Sequence, residues 1–188
     1  TFGRLDGTLD LDGFSTTGSL GGTGLNFSLL TGSGTFTNTS AQLFLGSGIA
    51  GSGTSTISGN YRMAANPNFR SGGAGTRLLV IDGVLSGGAG SITNSGNGFA
   101  ATLRLTGSLS NTFTGTWAMA AGTTELAKTG GAIAIPTNVS LGAGALLWSA
   151  SEQIADTAEL NLRNGTGLNL NGFTETVRNL ASPGTGAF

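Results

Sequence analysis

Cysteine and histidine are both absent from the 188 residues. Without cysteine there is no disulfide framework and no thiolate metal site. Without histidine, Ser-His-Asp, Cys-His and His-ligated metal mechanisms are removed. Charge is sparse as well: 9% of residues are charged and the formal net charge is −1. Such a chain has no electrostatic basis for binding nucleic acid or for docking on anionic lipid. No apolar run approaches the roughly 18 residues that cross a bilayer as a helix, so direct membrane insertion is not expected. No charged-then-apolar leader opens the chain, which begins in mid-pattern at Thr1-Phe2-Gly3. We read it as a processed or excised piece of a longer product.

What is present is glycine, with 35 copies, and Gly, Ser, Thr and Asn together make about half of the chain. That bias alone would suggest a loop-rich or disordered segment. Hydrophobic residues nevertheless reach 38%, and they alternate with small polar ones instead of clustering. A thin β architecture of short strands and Gly/Asn corners uses this composition well, with Thr, Ser and Asn forming its wet face. A cysteine-free, Thr/Asn/Gly-rich chain also fits a bacterial surface protein.

One unit is written twice. Leu9-Asp10-Leu11-Asp12-Gly13-Phe14-Ser15-Thr16-Thr17 returns as Leu168-Asn169-Leu170-Asn171-Gly172-Phe173-Thr174-Glu175-Thr176. Each copy runs on to a Gly-Thr-Gly, at Gly22 to Gly24 and at Gly184 to Gly186. A strand–corner–strand unit in duplicate marks a repeating stack. Short alternating strands recur along the chain, punctuated by Gly and by Asn164-Gly165 and Asn171-Gly172. An antiparallel sandwich or barrel would need regular hairpins and matched strands, whereas the corners here are irregular. The pattern therefore predicts an all-β parallel solenoid of roughly eight coils, each of about 20–25 residues. Strands of successive coils would pair about 4.8 Å apart, and open end coils would offer edges for further stacking. Residues 1–188 are read as a single β-helix segment. Thr123 to Lys128 and Ser149 to Ala158 are read as turns or at most one helical turn. Residues 61–76, with Arg62, Pro67, Arg70 and (just beyond) Arg77, read as a loop excursion from the coil.

Five segments, in order, resemble a known repeat. Leu105-Thr106-Gly107-Ser108-Leu109-Ser110-Asn111-Thr112-Phe113-Thr114-Gly115-Thr116-Trp117 looks like "L-x-G-x-N-T-Y-T-G-x-T". Ala121-Gly122-Thr123-Thr124-Glu125-Leu126-Ala127-Lys128 is similar to "A-G-T-L-x-L-G-K", and Ala134 to Leu141 to "A-I-P-x-N-V-x-I". Ser151 to Thr157 matches "S-x-Q-I-A-D-T", and Leu168 to Leu180 matches "L-N-L-N-G-F-x-E-T-I-x-x-L". These elements resemble the passenger-associated transport repeat, also called the autotransporter-associated β-strand repeat, of bacterial surface proteins. The likeness is best over residues 103–180, and residues 1–24 resemble the tail of a preceding repeat. Trp117-Ala118 and Thr123-Thr124-Glu125 depart from the pattern. The resemblance implies a right-handed parallel β-helix, exported and displayed outside the cell, with no catalytic residues.

Other motifs have plainer readings. Gly46-Ser47-Gly48-Ile49-Ala50-Gly51 is a formal G-x-G-x-x-G, but no helical period follows it, and a dinucleotide site needs one. Asp6, Asp10 and Asp12 form the densest acid cluster, which suggests glycoside hydrolysis or Ca²⁺ binding. The second copy carries Asn169 and Asn171 where the first has Asp10 and Asp12. A corner that caps backbone amides serves both copies, whereas an acid–base pair serves only one. Glu125 and Lys128 read as a solvated pair on a turn. Thr-x-Thr spacings are too irregular for an ice-binding array. Tyr61, Trp117 and Trp148 could stack on sugars, although core or rim packing is the default for Trp148. The expected role is thus a structural stalk or filament segment at the bacterial cell surface, with no catalytic, cofactor-binding or metal-binding residues assigned. Expected partners are neighbouring repeats or end-to-end copies, and a glycan or cell-surface partner. An adhesin or glycan-binding module using 61–76, and a polysaccharide-degrading enzyme using Asp6, Asp10, Asp12 or Asp82, are the competing readings.

Overall fold

The computed structural model describes residues 8–10, 14, 16–18, 29–31, 35–38, 42–45, 53–71, 77–95, 101–163 and 166–182. Side chains are described at 14, 56–69, 78–94, 102–163 and 166–182. All regular structure there is β-strand, without a helix. In chain order the first strands are β1 (Thr8–Asp10), β2 (Thr16–Gly18), β3 (Leu29–Thr31), β4 (Thr35–Asn38), β5 (Gln42–Leu45) and β6 (Gly53–Ile57). Then come β7 (Asn60–Met63), β8 (Asn68–Ser71), β9 (Arg77–Ile81), β10 (Leu85–Gly87), β11 (Ser91–Ser95) and β12 (Ala101–Gly107). The last are β13 (Thr116–Ala121), β14 (Thr123–Lys128), β15 (Val139–Leu141), β16 (Gly144–Trp148), β17 (Glu159–Leu162), β18 (Thr166–Asn169) and β19 (Asn179–Ala181).

These strands form a parallel β-solenoid with three sheets. The first has the order β1-β3-β6-β9-β12-β14-β16-β18, the second β10-β7-β4-β2 and the third β19-β17-β15-β13-β11-β8-β5. Register partners lie 20 to 27 residues apart, from Leu160↔Leu180 to Leu29↔Thr56, with 24, 21 and 22 at Leu79↔Leu103, Leu103↔Thr124 and Thr124↔Leu146, close to the coil length expected. The solenoid makes about five turns, somewhat fewer than the roughly eight coils expected from the sequence.

Alternation decides what faces inward. Ile57, Ile81, Leu105, Leu126 and Trp148 occupy one register column, and all are buried. In the third sheet Ile92, Trp117, Val139 and Leu160 form another buried column. Trp117 fills the middle of the core, its ring centroid 5.9 Å from Phe69 and 5.5 Å from Phe113. Where a polar group enters the core it finds a partner: Asn94 Nδ2 donates to Thr124 Oγ1 at 3.2 Å. Among the described residues Trp117 Nε1 is the exception, buried without an acceptor.

Two sequence expectations are corrected. Residues 61–76 are not an excursion as far as they are described, since β7 and β8 lie within the coil and only 72–76 fall outside the described residues. Tyr61, Met63 and Phe69 alternate into the core and Pro67 is buried at the corner between them. The exposed Arg62 obscured that period. Thr123 to Lys128 is likewise a strand, with alternate residues buried, not a turn.

Candidate functional site

The second sheet ends at β10, and beyond it one side of each coil has almost no ladder. Side-chain amides and a carboxylate take over the pairing. Asn111 Oδ1 accepts from Leu85 N at 2.9 Å, and its Nδ2 donates to Ala134 O at 2.8 Å. Gln153 Oε1 accepts from Lys128 N at 2.7 Å, while its Nε2 donates to Lys128 O. In the next coil Glu175 accepts from Gln153 N, Ile154 N and Trp148 Nε1. Burial of Glu175 raises its carboxyl above the ordinary range, and the neighbouring Glu152 adds to this. The three hydrogen bonds work in the other direction. These residues lie in three of the quoted sequence elements, so each element supplies one bridge between successive coils.

At the opposite corner of this side runs a column without side chains. Gly83 and Gly107 follow Ile81 and Leu105, and Gly107 pairs with Lys128 in register. Their backbones touch: a Cβ on Gly83 would lie 2.1 Å from Gly59 O, and one on Gly107 2.1 Å from Asp82 O. The Lys128 side chain, only 1% exposed, occupies this corner. Its ammonium donates to Thr106 O at 2.8 Å and to Gly83 O at 3.4 Å, tying three coils together. Desolvation pushes its pKa down to about 8, against the pull of the Asp82 carboxylate. Beside it lies a cleft of about 480 Å³ lined by Ser58, Asn60, Asp82, Ser108, Leu109 and Thr129 among others. Hydroxyl, amide and carboxylate groups line this open polar recess.

Lys128 therefore departs from the sequence expectation of a solvated pair with Glu125. Glu125 instead pairs with Arg104 in the neighbouring strand at 2.7 Å, because Glu125 faces outward and Lys128 inward along β14. The glycine spacing could have revealed the corner, but not the lysine's place within it. Tyr61, Trp117 and Trp148 are all in the core and offer no stacking face for sugars. Arg62 is exposed on β7. Asp82 lines the cleft, whereas Asp6, Asp12 and Gly46 to Gly51 lie outside the described residues. Asp10 belongs to β1, Arg70 to β8 and Arg77 to β9, with side chains outside the description. Among the described residues no three of His, Cys, Asp or Glu gather where a metal ion could be held. No protein-family model, no curated protein and no solved structure matches the chain.

Proposed function

We propose that the chain is a structural β-helical segment of an exported bacterial surface protein, of the passenger-associated repeat type that its sequence resembles, acting in display or assembly. The observation that carries this reading is the role of Asn111, Gln153 and Glu175. Each lies in a separate element of the resemblance, and each spends its polar atoms on joining one coil to the next. Such residues serve a stack, and a stack works through length, stiffness and a wet outer face of small residues. The test uses intact cells producing the parent protein. External protease is expected to remove the epitope of this chain without lysis; an epitope protected until lysis would overturn the surface assignment.

A second reading, a glycan-binding module, is favoured by the polar cleft between Ser58 and Thr129. Sugars are held by hydroxyl, amide and carboxylate groups of this kind. Binding on a glycan array that falls at least tenfold in Asp82→Ala and Asn60→Ala would support it, and no binding by the unmutated chain would remove it.

A further inference from the structure

The inward columns do not stop at a capped end. Leu168 follows the buried Leu146 in register and is 38% exposed. Leu180 follows Leu160 and is 56% exposed, and Leu170, one residue beyond the last pair Leu147↔Asn169, is 44% exposed. Each is an inward position with nothing stacked above it among the described residues. Among these residues β18 and β19 each pair with one neighbour only, at the ends of their sheets. The face is apolar, in register and unpaired, so its natural cover is another coil.

The chain itself shows which coil. Leu9 to Thr17 and Leu168 to Thr176 are copies of one unit, and β1 and β18 stand at opposite ends of the eight-stranded sheet. At the β1 end the copy is covered by β3, with Thr8↔Leu29, Leu9↔Leu30 and Asp10↔Thr31 in register. The reciprocal face agrees. Phe173 packs against the core through the coil beneath it, whereas its counterpart Phe14 is 76% exposed. One copy thus has its cover on one side, and the other copy has it on the opposite side.

We propose that the face formed by Leu168, Leu170 and Leu180 is an interaction surface for a coil with the sequence and register of residues 25–45, supplied by another copy of this repeat. The β3 strand of that copy lies along β18, with Leu30 opposite Leu168, and its β5 lies along β19. The period of the assembly is the seven ladder steps that separate the two copies of the unit, so the last coil of one repeat serves as the first coil of the next. The inference rests on the stacking part of the proposed function and not on export.

The test extends the full chain after Gly186 with a second copy of residues 25–71, placing Leu25 after Gly-Thr-Gly as it follows Gly24. Two other extensions of equal length serve as comparison, one a shuffled 25–71 and one a copy of residues 102–148. Amide hydrogen exchange is read at β18 and β19. The in-phase extension is expected to slow exchange there at least tenfold, with little change from the shuffled segment and a smaller effect from 102–148. Unchanged exchange with the in-phase extension overturns the proposal, and so does equal protection by either comparison. Protease access on intact cells is unaffected by any of these outcomes, so failure here and failure of the surface assignment are separate results.

Discussion

Lys128 is a cation held where a chain of this composition would be expected to bury leucine or alanine. Its pKa of about 8 in the folded chain lies below the 10.5 of a free lysine. Between those values the unfolded chain binds more protons than the folded one, so stability contributed by this residue rises as pH rises from about 8 to 10.5. Lys128→Met removes that rise, and the difference between wild-type and variant urea unfolding at pH 7, 8, 9 and 10 measures it. A variant with the same pH slope as the wild type would show that Lys128 is solvated. The tryptophans separate in a similar way. Trp148 Nε1 donates to Glu175, whereas Trp117 Nε1 has no acceptor. Trp148→Phe is therefore expected to cost about 1–3 kcal/mol more in lost hydrogen bonding than Trp117→Phe, once ring volume is matched. Equal losses in denaturant unfolding would contradict the assigned bond. Gly83→Ala puts a methyl group 2.1 Å from Gly59 O, a backbone atom of the adjacent coil. A loss of about 1–3 kcal/mol is expected from the forced shift, read as a lower urea midpoint.

At the scale of elements, two kinds of support hold the coil sides. The first and third sheets are continuous ladders, and the remaining side passes from strands to bridging side chains after β10. Asn111→Ala is expected to speed amide exchange at Leu85 and to leave β15 and β16 unchanged, because the two bonds it loses, at Leu85 N and Ala134 O, are local. A uniform change across the solenoid would contradict that division. The same contrast explains what the sequence shows. Alternation in Ala101 to Leu105 and Thr116 to Met119 is a direct imprint of the pleat, and Leu78 to Ile81 is a short apolar run of strand length, so strands and coil spacing are visible in the sequence. β7 and β8 are concealed, since Arg62 and Pro67 interrupt an inward set of Tyr61, Met63 and Phe69 that is too widely spaced to stand out. The cleft is less legible still. Ser58, Asp82, Ser108 and Thr129 come from four successive coils, and their meeting depends on register that no local window contains. Glu175 was readable as a motif position, but its three donors come from the preceding coil.

Across the whole molecule, sequence distance is converted into a constant axial step by stacking coils in parallel. Thr56, Val80, Arg104, Glu125, Leu147 and Asn169 form one column in the first sheet. Thr56 and Asn169 are five ladder steps apart, or about 24 Å at the usual strand spacing. Because the chain has no cysteine, two introduced cysteines are its only sites for thiol-directed spin labels. Pulsed dipolar spectroscopy on Thr56→Cys/Leu147→Cys and Thr56→Cys/Asn169→Cys therefore reads the step directly. The expected mean distances centre near 19 and 24 Å, growing by about 5 Å for the added coil. Distances that do not grow with the number of coils, or that shorten as in a folded-back sandwich, would contradict the stack.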